Sequence, residues 1–96
     1  MLLLKPNCEH CDRDLLPDAP DARICSFECT FCAECVERVL KNVCPNCAGG
    51  LAPRPIRPKA KLRTRPASAE RVLKPVDQAA HAVLLKQYES VPPESR

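Results

Sequence analysis

Apolar positions along this chain come in short bursts, not long periodic runs. Val36, Val39 and Leu40 fall at i, i+3 and i+4 and predict one short helix from Ala33 to Leu40. Glu34 and Glu37 early in that helix, and Lys41 late, suit its dipole, and Asn42 can end it. Ile24, Phe27, Phe31 and Val43 complete a small apolar set with the helix residues. Residues 51–56 carry a different signal. Pro53 and Pro55 are two apart, so both missing N–H groups lie on one side of an extended chain. Ala52, Arg54 and Ile56 keep theirs for pairing. That pattern predicts an edge strand with Leu2–Leu4 as its partner, or else a polyproline-like exit arm. Farther on, Val76, Ala79, Ala80, Val83, Leu84 and Tyr88 share one stripe, and Pro75 suits a first helical position. An amphipathic helix is expected over 75–90, with His81 beside the stripe as a surface residue. Val91-Pro92-Pro93 ends it and leaves 91–96 as a disordered tail.

This apolar set is too small to fold a module of about fifty residues by burial alone. The missing stability points to the cysteines. Eight lie within forty residues: Cys8, Cys11, Cys25, Cys29, Cys32, Cys35, Cys44 and Cys47. Cys8/Cys11, Cys32/Cys35 and Cys44/Cys47 are CxxC pairs, and Cys25/Cys29 is a looser fourth. Eight soft ligands are the number needed for two tetrahedral zinc sites, each held by four thiolates. Each structural zinc contributes roughly 10–16 kcal/mol of apparent binding energy, which becomes folding energy.

Three other chemistries fit less well. A disulfide framework suits an oxidising compartment, but Met1 to Pro6 carries no basic leader and its apolar run is short. The expectation is a reduced, cytoplasmic protein. An iron–sulfur ferredoxin run needs its fourth cysteine much sooner than Cys44. The stretch Cys25 to Cys32 overlaps the cluster triad of radical enzymes that use S-adenosylmethionine, but 96 residues cannot build their barrel. A thioredoxin-like redox motif needs one CxxC on a βαβ scaffold, not four pairs. Spacing alone leaves the sharing of metals open. Pairs one and three could bind one ion and pairs two and four the other, or neighbouring pairs could bind sequentially. His10, inside the first pair, is read as a spare solvated residue, because the sulfur count is already complete.

The run Cys29-Thr30-Phe31-Cys32-Ala33-Glu34-Cys35-Val36, followed by Cys44-Pro45-Asn46-Cys47, resembles a RING finger. In this variant cysteine stands at all eight ligand positions. The resemblance covers residues 8–47. It implies a small metal-stabilised α+β module of RING-like, treble-clef type, with one short helix and short strands. It also implies crossed pairing: Cys8, Cys11, Cys32 and Cys35 on a first zinc, and Cys25, Cys29, Cys44 and Cys47 on a second. The stretches Pro6 to Leu15 and Ala22 to Cys32 are also similar to a family of short cysteine-rich bacterial proteins of unknown function, which implies no activity.

Charge is segregated. Residues 1–50 hold five basic and eight acidic residues, whereas 51–75 hold eight basic residues and one acid, Glu70. The chain therefore divides into a zinc-binding module over 1–56, a basic, proline-containing linker over 57–74, the helix over 75–90, and the tail. Eight thiolate charges, less the four positive charges of two divalent ions, take the formal +3 to −1. Module and linker are thus separate electrostatic objects.

Three functions follow. The first is a non-enzymatic zinc-binding module with two Zn2+ and an unidentified protein partner. No catalytic constellation, phosphate loop or membrane span is visible. The second, implied by the RING resemblance, is a ubiquitin ligase or adaptor. Pro45 matches the ligase pattern. His10 stands where Ile or Leu is usual, Val39 where Trp is usual, and Ala48 where a basic residue is usual. The third is nucleic-acid binding through Arg54, Arg57, Lys59, Lys61, Arg63 and Arg65, with phosphate contacts only, since no aromatic is interleaved; the preferred alternative is a solvated linker, or a strap lying on the module's own acidic face.

Overall fold

Buried Ala22 and Phe31 anchor a central hairpin. β1 (Ala22–Ile24) runs antiparallel to β2 (Thr30–Cys32), with Arg23 opposite Phe31 and Ile24 opposite Thr30. The computed structural model describes residues 1–96. β2 leads directly into the predicted helix. An α-helical turn, α1 (Ala33–Cys35), widens into a π-helical turn over Val36–Leu40. Lys41 and Asn42 then take left-handed conformations, with φ of 51° and 60°, and stop the helix. The inward face is Cys35, Val36 and Leu40.

β3 (Ala52–Pro53) is an edge strand, in the order β2-β1-β3. Its partner is β1 and not Leu2–Leu4. The free edge of β1 receives the Arg54 N–H at the carbonyl of Ala22, 2.9 Å away. The carbonyls of Leu2 and Leu4 are taken instead by Arg57 and by the Ser68 N–H.

The core cluster has ten buried residues, five of them cysteine: Cys8, Cys25, Cys32, Cys35 and Cys44. Apolar burial is therefore inseparable from the thiols. Leu15, Ala22, Phe31, Val36 and Leu40 supply the rest of the cluster, and Leu4 and Val43 are buried outside it. Phe27, expected in the core, is 74% exposed. It sits in the hairpin loop between Cys25 and Cys29.

The basic segment differs from a free linker. Lys59–Leu62 forms a short helix, α2. The chain beyond it lies on the module as a strap. Ser68 N–H donates to Leu4, Lys74 N–H to the carbonyl of Glu9, and Val72 exchanges two hydrogen bonds with the Asn7 side chain. Arg71 pairs with Asp12 and Asp14 at 2.9 and 2.8 Å. Segregated charge here drives contact between the two segments, because Arg71 of the basic strap meets Asp12 and Asp14 of the acidic module.

The terminal helix, α3 (Gln78–Tyr88), starts three residues later than Pro75 would place it. The Asp77 side chain caps it by accepting from the N–H groups of Ala79 and Ala80. The buried face is also rotated from the expected stripe. His81 is 4% exposed, while Val83 is 60% exposed. Leu84, Leu85 and Tyr88 are half-buried on the His81 side. The ring of His81 holds the carbonyl of Val43 through Nε2 at 2.9 Å. Residues 91–96 also make contacts not expected of a disordered tail. Pro93–Ser95 forms a 3-10 turn, and Arg96 donates to the carbonyls of Val91, Asn42 and Ala48. No helix is long and apolar enough to cross a membrane.

Candidate metal centre

Two of the cysteine pairs are built the same way. In the first, the N–H of Asp12 closes onto the carbonyl of Cys8 at 3.0 Å, and Asp12 is left-handed with φ of 66°. In the last, the N–H of Ala48 closes onto Cys44 at 2.8 Å, and Ala48 is left-handed with φ of 64°. Each loop is a tight knuckle that brings its two sulfurs together. The looser pair is the β1–β2 hairpin loop. There the Glu28 N–H reaches Cys25 at 2.9 Å and Glu28 is left-handed at 66°.

Glu9 fixes the first knuckle to β2. Its N–H donates to the carbonyl of Thr30 at 2.9 Å, and its carboxylate accepts the Thr30 N–H at 2.6 Å. Lys5 covers the same carboxylate at 3.1 Å. This clamp lays Cys8 and Cys11 against the end of β2, where Cys32 and Cys35 emerge. The sulfurs of Cys8, Cys11, Cys32 and Cys35 all lie within 4.8 Å of one another. Cys25, Cys44 and Cys47 form a second group on the same criterion. Cys29 adjoins that group without keeping the same spacing to all its members. Its thiol meets those of Cys25 and Cys44, and Asn46 Nδ2 donates to its sulfur at 3.4 Å. The three residues inside this pair leave Cys29 more freedom than a CxxC loop allows. The grouping is crossed: pair one meets pair three, and pair two meets pair four. The eight cysteines in two clusters fit a cross-braced zinc-binding domain.

The donor chemistry suits a soft or borderline cation. A zinc–sulfur bond of about 2.3 Å gives a tetrahedron of sulfurs an edge of about 3.8 Å. Cys11 and Cys32 stand 3.8 Å apart. Burial pushes the thiols of Cys32, Cys35 and Cys44 above their ordinary range, and nearby cysteines add to the rise. Such a cluster cannot hold several thiolates without a positive ion between them. Cys11 is the exposed member. The lift from its burial is outweighed by hydrogen bonds from the Arg13 backbone and the neighbouring thiols, so its thiol is lowered.

Other candidate residues fall differently. His10 stands outside both cysteine groups and is half-buried: its Nδ1 accepts the N–H of Val76 at 3.0 Å. Arg54, expected to meet polyanions, is 4% exposed. Its guanidinium donates to the carbonyls of Lys5 and Leu16, and burial lowers its pKa. It is an internal staple. Arg57 is likewise spent, on the carbonyls of Leu2 and Arg65. Lys59, Lys61, Arg63 and Arg65 remain exposed. Glu9, Asn7 and Arg71 were not legible as positioning residues, because each works through a partner distant in sequence.

Comparison with known proteins places the chain among relatives of unknown function. No solved structure matches the chain. An uncharacterized protein of Rhizobium meliloti (strain 1021) is 63% identical over 75 residues, which is 78% of this chain and 89% of the relative. The shared region therefore runs beyond the cysteines into the strap or helix. Residues 1–57, which hold both clusters and the whole sheet, match the protein family of unknown function DUF1272, and the chain belongs to that family.

Proposed function

We propose that this chain is a non-enzymatic zinc-binding interaction module. Cys8, Cys11, Cys32 and Cys35 hold one zinc ion, and Cys25, Cys29, Cys44 and Cys47 hold the other. The observation that carries this reading is the crossed grouping of thiols, with a 3.8 Å sulfur contact that equals the edge of a zinc tetrahedron. All-thiolate sites are closed and leave no position for a reactive water, which supports a structural role for both ions. The ligase alternative loses support at His10, because the strap occupies its Nδ1 through the Val76 N–H.

Elemental analysis of protein purified without added metal tests the reading. Two zinc ions per chain are expected. Cobalt substitution should give the absorption of tetrahedral thiolate coordination at both sites. One ion per chain, or iron–sulfur absorbance, would refute it.

A further inference from the structure

Five cations of the basic segment are left over once the fold has used the rest: Lys74 on the strap, and four on and beside α2. Arg54 and Arg57 are spent on backbone carbonyls, and Arg71 on Asp12 and Asp14. Lys59, Lys61, Arg63 and Arg65 are exposed, and none is ion-paired with a carboxylate. They are held in place all the same. Arg57 ties the carbonyl of Arg65 to that of Leu2, so the turn carrying α2 is pinned to the module.

Beside this turn lies an open groove of about 380 Å³, lined by Pro17, Asp18, Ile56, Arg57, Pro58, Lys59 and Leu62. Among its apolar side chains Ile56 is 59% exposed and Leu62 is half-buried; Leu16, beside the groove next to Pro17, is 69% exposed. Lys59 and Leu62 are three apart on α2, so apolar floor and cationic rim lie on one face. Asp18 is the single acid at its edge.

We infer that this groove docks an acidic, apolar segment of a partner protein. Its Leu, Ile or Val side chains would cover Ile56 and Leu62, and flanking Asp or Glu would meet Lys59, Lys61, Arg63 and Arg65. The inference rests on reading the chain as an interaction module and names the class of partner. The floor decides between a peptide and a nucleic acid. Phosphate binding has no use for exposed Ile56 and Leu16, and the groove offers no aromatic on which a base could stack. Apolar contact ringed by unpaired charge is the arrangement of a protein-docking patch.

The test is selection of a random phage-displayed peptide library on the full-length, metal-loaded protein. Metal content is measured on the same sample. Enriched peptides are expected to combine large apolar residues with Asp and Glu. Their affinity should fall at least tenfold for Ile56→Asp and separately for Lys59→Glu, with metal content and melting unchanged. Lys59 is exposed, so Lys59→Glu reads out the groove even where Ile56→Asp disturbs folding. Metal-loaded protein that enriches no acidic-apolar peptide overturns this inference and leaves the zinc reading standing. So do peptides indifferent to both substitutions, or a single-stranded oligonucleotide that binds more tightly than any selected peptide. Protein without metal instead overturns the reading beneath it.

Discussion

Glu9 and Thr30 hold each other by two hydrogen bonds: the Glu9 N–H on the Thr30 carbonyl, and the Thr30 N–H on the Glu9 carboxylate at 2.6 Å. Glu9 lies inside the first cysteine pair, and Thr30 lies two residues before the third. The contact therefore brings the ligands of one site together from distant parts of the chain. Glu9→Ala leaves the buried Thr30 N–H without a partner. A loss of about 1–3 kcal/mol is expected in denaturant unfolding of the metal-loaded protein. Glu9→Gln, which keeps an acceptor, should lose less.

Chelation should unfold residues 8–47 cooperatively, since half of the core cluster is cysteine and each ion contributes roughly 10–16 kcal/mol of apparent binding energy. Collapse of amide dispersion in NMR spectra, with eight titratable thiols released, is the expected readout. Dispersion retained after complete metal removal would contradict it.

The pH dependence of the loaded protein follows from its ligands. They are thiolates, so metal and stability are lost as pH falls and protons compete for sulfur. Melting curves of the loaded protein should shift to lower temperature as pH falls, with metal release measured on the same samples.

Ala48 occupies a left-handed position without being glycine. Ala48→Gly should stabilise the last knuckle by up to about 1 kcal/mol, because the Cβ penalty at positive φ disappears. A higher melting temperature with unchanged metal content would show it.

His81→Ala should cost about 1–3 kcal/mol, since it leaves the Val43 carbonyl unpaired and opens space under α3. Deleting residues after Pro75 should lower the melting temperature of the zinc module itself. An unchanged melting temperature would mean that the helix contributes nothing to the module.

The local parts of this fold were legible in sequence. The helix from Ala33 to Leu40 follows from its spacing, whereas the alternation of Pro53 and Pro55 left an edge strand and an exit arm both open at Ala52–Pro53 and did not reveal β1 as the partner. The crossed grouping came from resemblance to a known ligand order, since spacing alone allowed two solutions. What failed to show depends on distant partners. Arg54 and Arg57 look like any other basic residues until Lys5, Leu16 and Leu2 present carbonyls to them. His81 reads as surface because a histidine interrupts an apolar stripe, yet one ring nitrogen satisfies a buried carbonyl and turns the helix toward it. The left-handed residues Asp12 and Ala48 gave no signal, because neither is glycine.

The crossed arrangement also sets an order of assembly. As the chain is synthesised from its N-terminus, the first site gains its fourth sulfur at Cys35, while the second must wait for Cys47. The strap comes later still, with Val72 reaching back to Asn7 and Val76 to His10. Domains fold as their segments become available. With ions held as proposed, the first set of ligands is complete while half of the second is still unmade, and the strap follows last.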